Sequence, residues 1–353
     1  MEATAHEFGR GGNALEFLVV DEFLRTIVDA RALKTAFELG LIDYLIEYGT
    51  GTQAMLRRTL GIDQQGLSFL LDLLRANHVI TLRGKDVYLN ERFSVALRYR
   101  DLLEIKLDFA GVILNDFADL FTALIKEPGD FAGKSRIFEL FDYRRTAQPT
   151  IENYQRTRSW MRLTSTLTRY EALACMQLHD FGGYSRMLDI GGNSGEFLLQ
   201  LCRRYPNLSG TVFDRPLVCE IGMEHLLPEP EHSRIGFITG DIRKDPAPAG
   251  YDLITFKSML HDWPQESADA FLARAAAGLE PGGSILIFER ASIRVGQNAP
   301  AFSALPMLLF FRSYREPAVY ADTLRTLGFI DIVSRDIELD TPFMLITARK
   351  PHA

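Results

Sequence analysis

Two rhythms of apolar and polar positions divide the chain. Over residues 15–48 the apolar residues recur at helical spacing, as in Leu33, Phe37, Leu41 and Leu45 with Ala36 and Leu39 beside them, so helices are expected to open the fold. Residues 52–60 and 64–77 predict two further helices about a turn at Gly61. Residues 79–82 and 87–89 then alternate around Arg83-Gly84-Lys85-Asp86, a hairpin signal. Helix, turn, helix and hairpin together make a winged-helix pattern. Helical spacing returns over about residues 100–178, with breaks near Pro128-Gly129-Asp130 and Gln148-Pro149.

From Tyr184 onward short apolar runs alternate with amphipathic segments. The runs are 187–190, 210–213, 235–238, 253–256, 284–288, 330–333 and 343–347. Such alternation predicts an α/β architecture, a doubly wound, mostly parallel seven-stranded sheet with helices on both faces. No internal repeat or low-complexity tract interrupts it.

Length and composition agree with two domains and a packed core: 353 residues, 47% hydrophobic and 24% charged. A formal charge of -7 argues against a polyanion as the main partner. Cys175, Cys202 and Cys219 have an odd count and no CxxC spacing, so they read as free thiols of a reducing compartment, with neither disulfide nor metal site. Residues 1–13 lack the basic and apolar regions of a secretory leader, and the apolar run 305–311 is far short of the roughly 20 residues that span a bilayer. A cytoplasmic protein with no membrane partner is expected. Residues 51–100 are mildly basic, which raises DNA binding by a ligand-sensing regulator as an alternative. The second helix there, Gly66-Leu67-Ser68-Phe69-Leu70-Leu71-Asp72-Leu73-Leu74, is apolar where base readout needs polar side chains. Nucleic acid is therefore not expected as a partner.

Chemistry concentrates where the second rhythm begins. Met187-Leu188-Asp189-Ile190-Gly191-Gly192-Asn193-Ser194-Gly195 is an apolar strand running into a glycine-rich turn and then a helix. In open α/β sheets ligands sit beyond the carboxyl ends of the strands, where strand order reverses. A dinucleotide fingerprint fails here, because counting from Gly191 places Asn193 and Glu196 where glycine is needed. Glu196 also puts a carboxylate at a helix N-terminus that would otherwise attract pyrophosphate. A nucleoside cofactor without phosphate fits better. Asp214 closes the next apolar run and can accept from both ribose hydroxyls; Asp241, after the following run, can accept from an adenine amino group. Each alone is more often a turn or cap aspartate.

A fourth run leads into Lys257-Ser258-Met259-Leu260-His261-Asp262-Trp263, and a fifth ends in Glu289-Arg290. The segment Leu260-His261-Asp262-Trp263, the turn Asp189-Ile190-Gly191-Gly192, the pair Gly240-Asp241, and Pro281-Gly282-Gly283 before a strand ending in Glu289 resemble the S-adenosylmethionine-dependent small-molecule O-methyltransferases of plant caffeate type and their bacterial natural-product relatives. The resemblance spans nearly the whole chain. It implies S-adenosylmethionine as cofactor, S-adenosylhomocysteine as product, an aromatic small molecule as substrate, and a winged-helix-like region serving homodimerisation. It further implies a histidine base at His261 oriented by Glu289. Asp189, Gly191, Gly192, Gly195, Asp214, Asp241, Ile242, Lys257 and Trp263 would line the cofactor site, with Arg215 and Ser258 in the same pocket. Asn193 stands where the family has glycine, and the segment Arg312-Ser313-Tyr314-Arg315-Glu316 lacks the family's glycines, its glutamate out of register with a second active-site carboxylate.

A neutral imidazole can take the proton of a phenol, whose pKa is about 10, as the methyl group moves. Trp160, Met161, Met307, Phe310 and Phe311 are expected to form an apolar slot for a flat ring. Arg158, Arg162, Arg312 and Arg315 are candidates to hold an acidic substituent. Residues 1–105 are assigned to dimerisation, 106–178 to a helical linker lining the substrate, and 179–353 to cofactor binding. Carbon methylation, and a relative that keeps the cofactor without methylating, remain as alternatives. After His261 only His352 is left, which argues against a multi-histidine metal site.

Overall fold

The N-terminal elements follow from short caps and apolar stripes. A 3₁₀ turn at Glu16–Phe23 precedes helix α1 (Ile27–Glu38), which Thr26 and Asp29 start with a reciprocal capping box. Next come α2 (Leu41–Tyr48), strand β1 (Gly51–Thr52), α3 (Gln53–Leu60) and α4 (Gln64–Ala76). Gly61, left-handed at φ 67°, ends α3, and Asp63 caps α4. Helix α4 buries Leu67, Leu70, Leu71 and Leu74, one stripe at helical spacing. Strands β2 (Ile80–Arg83) and β3 (Asp86–Leu89) form the hairpin expected at Gly84, and β1 completes a small antiparallel sheet in the order β1-β3-β2. Helix α5 (Glu91–Ala96) and the long α6 (Arg100–Lys126) follow.

Three more helices lead to the sheet: α7 (Pro128–Lys134), α8 (Arg136–Leu140) and α9 (Ile151–Leu178). Pro128 occupies the first turn of α7, where its missing N–H costs nothing, so the proline starts a helix after the break. The alternating region is β4 (Arg186–Ile190), α10 (Glu196–Arg204), β5 (Ser209–Asp214), α11 (Pro216–Leu226), β6 (Ile235–Thr239), β7 (Tyr251–Lys257), α12 (Gln265–Gly278), β8 (Leu279–Arg290), α13 (Leu305–Leu309), α14 (Pro317–Thr326), β9 (Ile330–Glu338) and β10 (Pro342–Arg349). All seven expected runs are strands of one sheet, ordered β6-β5-β4-β7-β8-β10-β9. The first five are parallel; β10 is antiparallel to both β8 and β9.

Successive side chains of the central strands enter opposite cores. Leu188, Ile254, Ile285 and Ile287 join one cluster with Phe271, Leu272 and Tyr320; Met187, Leu253, Leu286 and Phe288 join the other with Phe197, Leu201 and Phe181. A sheet covered on both faces needs such continuous apolar strands. Strand order reverses at β4, from which the chain goes out through β5 and β6 and then crosses to β7. The carboxyl ends of β4 and β7 therefore border the crevice where a ligand is expected.

The computed structural model describes residues 13–296 and 300–352, so nearly all of the expected leaderless start lies outside the described residues. The chain forms two compact units: residues up to Ile125 with Val295–Pro306, and Lys126–Arg294 with Met307–Ala353. A boundary at residue 105 would cut α6, which runs unbroken to Lys126. Residues 126–178, assigned to a linker, belong to the sheet-bearing unit, and Val295–Pro306 to the other. All three cysteines are buried and free. Among the described residues no helix is long and apolar enough to cross a membrane.

Candidate functional site

The turn after β4 is built on backbone that few side chains tolerate. Gly191 has φ 69°, and a Cβ there would stand 2.7 Å from Met259 Cγ. Gly195 caps α10 at φ 77°, where a Cβ would meet Leu226 at 2.9 Å. Asn193 also takes a left-handed φ of 56°, a conformation asparagine enters more readily than most residues. Its side-chain oxygen accepts from the Ser194 amide at 2.7 Å.

Acceptors crowd the strand tips. Asp214 ends β5, its two oxygens accepting from the Asn193 amide (3.0 Å) and the Arg215 amide (2.7 Å). Burial still pushes its carboxyl up to about 6. Asp189, buried in β4, accepts from the Thr255 hydroxyl at 2.6 Å through Oδ1, while Oδ2 has no hydrogen-bond partner among the described residues. Burial pushes this carboxyl up to about 7. The Ser258 hydroxyl, on a residue with φ 49°, is likewise buried without a partner. Acceptors of this kind suit hydroxyl and ammonium groups and repel a pyrophosphate, so these residues fit a phosphate-free nucleoside bearing an amine.

Several expected cofactor contacts are otherwise engaged. Both Asp241 oxygens are held by Arg243, whose Nε donates at 2.7 Å; this guanidinium also lies 5.3 Å from the centre of the Trp263 ring. The Lys257 ammonium pairs with Glu171 and donates to the Thr168 hydroxyl at 2.8 Å, both on α9. Glu196, read only as a carboxylate that disfavours pyrophosphate at the start of α10, is buried among Arg169, Gln200 and His225. Ile242 is a core residue.

His261 follows β7 in a 3₁₀ turn, Leu260–Asp262, and Glu289 comes from the end of β8. Glu289 Oε2 pairs with His261 Nδ1, while Oε1 accepts from the Met259 and Leu260 amides, each at 2.7 Å. One carboxylate thus fixes both the ring and the loop that carries it. With Nδ1 committed as donor, Nε2 is the nitrogen left to accept a proton. Burial pushes the imidazolium down, but the Glu289 and Asp262 carboxylates outweigh it, and the pKa stands above 6.5. The Tyr314 ring meets the imidazole edge-on, centroids 5.4 Å apart.

Three residues here escaped the sequence reading or carried another role in it. Asp262, given no role of its own within the Leu260-His261-Asp262-Trp263 segment, is the second carboxylate beside the ring, Oδ1 lying 3.4 Å from Nε2. Tyr143 donates to Asp262 Oδ2 at 2.6 Å. Arg315, a candidate for an acidic substituent, instead donates to the carbonyls of Leu260 (3.0 Å) and Trp263. Glu316 pairs with Arg294 at 3.0 Å, away from the imidazole's partners. Only Asp262, adjacent to the histidine, could have been suspected from the sequence.

Of the expected slot residues, Trp160 and Met161 join Leu217, Val218 and Ile221 in a small core flanked by Phe141 and Tyr143. Phe141 meets both Trp160 (6.2 Å between centroids) and Phe310 (5.6 Å) edge-on. Met307 Sδ accepts from the Tyr314 hydroxyl at 3.6 Å, linking it to the His261 neighbourhood. Phe311 lies beneath the Arg312 guanidinium and shares no ring contact with this group among the described residues. No cluster of three or more His, Cys, Asp or Glu is arranged to hold a metal among the described residues.

Residues 129–329, more than half of the chain, match the family model described as an O-methyltransferase domain. The chain is 34% identical over 172 residues to 3-hydroxy-5-methyl-1-naphthoate 3-O-methyltransferase of Streptomyces sahachiroi, covering 48% of this chain and 49% of that one. It is 26% identical to mitomycin biosynthesis 6-O-methyltransferase of Streptomyces lavendulae, covering 82% of each. The chain spans about half the length, or less, of the first curated relatives it matches. Human N-acetylserotonin methyltransferase in complex with SAM shares the fold, with a TM-score of 0.70 at 23% identity, covering 91% of this chain and 94% of that one.

Proposed function

Because the chain belongs to the O-methyltransferase domain family, we propose that it transfers a methyl group from S-adenosylmethionine to a hydroxyl of an aromatic or polyketide-like small molecule, with His261 as general base. The observation that carries this reading is the His261–Glu289 pair, tied by two amides to the loop after β7. It leaves one imidazole nitrogen free to receive the substrate proton.

The cofactor, when bound, supplies an already activated methyl group on a sulfonium. The chain's residues then have to bind, align and deprotonate. Asp214 is suited to accept from the ribose hydroxyls, and the unpaired Asp189 Oδ2 and Ser258 hydroxyl to engage the amino-acid end. Gly191, Gly192 and Gly195 let the backbone come close. Asp241, Ile242, Lys257, Arg215 and Trp263 remain assigned to the same pocket; for Asp241 and Lys257 this requires exchanging their present partners Arg243 and Glu171. Alignment of a substrate oxygen with the methyl carbon and sulfur is a positioning effect worth up to about 7–11 kcal/mol in well-oriented systems. Nε2 of His261 takes the hydroxyl proton as the new bond forms, and Glu289 holds the ring that becomes charged.

Two relatives, by name, methylate a naphthoate and act in mitomycin biosynthesis, which supports a flat ring system as substrate. Trp160, Met161, Met307 and Phe310 are proposed to border it. The N-terminal unit, with its helix-turn-helix and hairpin, is proposed to be winged-helix-like and to mediate a homodimer in the cytoplasm. The test is transfer of labelled methyl from S-adenosylmethionine to a panel of phenols. His261→Ala is expected to lower turnover by about 10²–10⁴-fold while leaving cofactor affinity unchanged; undiminished turnover would refute the base.

A further inference from the structure

The imidazole of His261 lies between two carboxylates. Glu289 is already engaged through both oxygens, which serve Nδ1 and two backbone amides. Asp262 Oδ1 stands 3.4 Å from Nε2, and its other oxygen accepts from the Tyr143 hydroxyl at 2.6 Å. Tyr143 reaches this place from the turn Tyr143–Ala147, 119 residues earlier in the chain. The turn is itself held, because the Thr146 hydroxyl donates to the Tyr143 carbonyl at 2.7 Å. The Tyr143 ring stacks on Trp263 (centroids 6.3 Å apart, planes 22°) and meets Trp160 edge-on at 5.3 Å. Its phenol oxygen thus has little freedom to leave Asp262.

Resting on the reading of His261 as base, we propose that Tyr143 is a positioning residue: through Asp262 it holds a second carboxylate against the nitrogen that receives the substrate proton. When Nε2 gains that proton, a cation forms on a buried ring, and Asp262 is the carboxylate nearest that nitrogen. A carboxyl buried here is driven towards its neutral form, which would remove that anion; the Tyr143 hydrogen bond works in the other direction. The remaining charged or titratable groups around the imidazole are Glu289 and Arg290 of β8 and the Tyr314 phenol. Arg290 opposes protonation of the ring, so the two carboxylates carry the stabilisation between them.

The test is a pH titration of the His261 ring by NMR of the full chain with labelled histidine, its signal assigned by loss in His261→Gln. Wild type, Tyr143→Phe, Asp262→Asn and the double variant are compared. Tyr143→Phe keeps the ring stacking and removes only the hydroxyl. The midpoint of His261 is expected to fall in Tyr143→Phe and in Asp262→Asn, and the double variant to fall no further than Asp262→Asn alone. With a phenol substrate, Tyr143→Phe is expected to lose about tenfold in kcat without change in KM for the methyl donor.

An unmoved midpoint in a folded Tyr143→Phe, or a further fall in the double variant, would overturn the proposal. Should the tyrosine variant not fold, an unmoved midpoint in Asp262→Asn overturns it equally. The titration needs neither substrate nor methyl donor. Absence of methyl transfer on every phenol tried would therefore refute the functional reading, while the titration still decides the role of Tyr143.

Discussion

A histidine flanked by two acids must be neutral to act as a base, and that sets a direction for pH dependence. Glu289 and Asp262 raise the His261 pKa above 6.5, so kcat/KM should fall as pH drops through that raised value. Glu289→Gln removes the closer charge; the acidic midpoint of the pH–rate profile is expected to move down while the maximal rate also falls. A midpoint that stayed in place would mean another group controls the profile. The same shift bears on stability: the contribution of protonated His261 is present below 6.5 and is lost as pH rises through the folded-state value. Asp214 and Glu289 each close an apolar run and Asp189 lies within one, and in this topology the ends of such runs converge; His261 lies beyond the run 253–256, and only the Leu260-His261-Asp262-Trp263 segment drew attention to it. What Asp241 and Lys257 would touch was not legible, since Arg243 and Glu171 compete for them through side-chain geometry. Tyr143 was invisible for another reason: no local pattern marks a contact made across 119 residues.

At the scale of elements, short continuous apolar runs located all seven strands. Both faces of the parallel strands are apolar, so the runs stand out against the amphipathic helices between them. Their ends and directions were less legible. β8 runs from Leu279 to Arg290 because the strand resumes pairing with β7 on both sides of Pro281-Gly282-Gly283, and a loop motif hid its first half. The antiparallel placement of β9 and β10 depends on tertiary pairing that composition does not encode. The turn after β4 gives a prediction at this scale. Gly191→Ala would place a methyl 2.7 Å from Met259 Cγ on backbone at φ 69°. A loss of about 1–2 kcal/mol in unfolding free energy is expected from the left-handed conformation alone, with weakened cofactor binding. Denaturant titration showing wild-type stability would mean the turn tolerates a side chain.

For the molecule as a whole, two architectures are legible in the sequence, and the boundary read at residue 105 differs from the division of the chain after Ile125. Helix α6 carries one pattern through residue 105 to Lys126, and no composition shift marks the return of Val295–Pro306 to the first unit. The sheet-bearing unit contains every residue assigned to cofactor and base. The ligand chemistry proposed for it rests on the carboxylates at the strand tips more than on any single motif. Calorimetric titration with S-adenosylhomocysteine tests that most directly. Burial pushes the Asp214 carboxyl up to about 6 in the free protein, and its ionised form is the stronger acceptor for ribose hydroxyls. Affinity is therefore expected to weaken below about pH 6, and Asp214→Asn to weaken it at neutral pH and flatten that dependence. Equal affinity in wild type and Asp214→Asn at both pH values, or tighter binding of a pyrophosphate-bearing dinucleotide, would contradict the account.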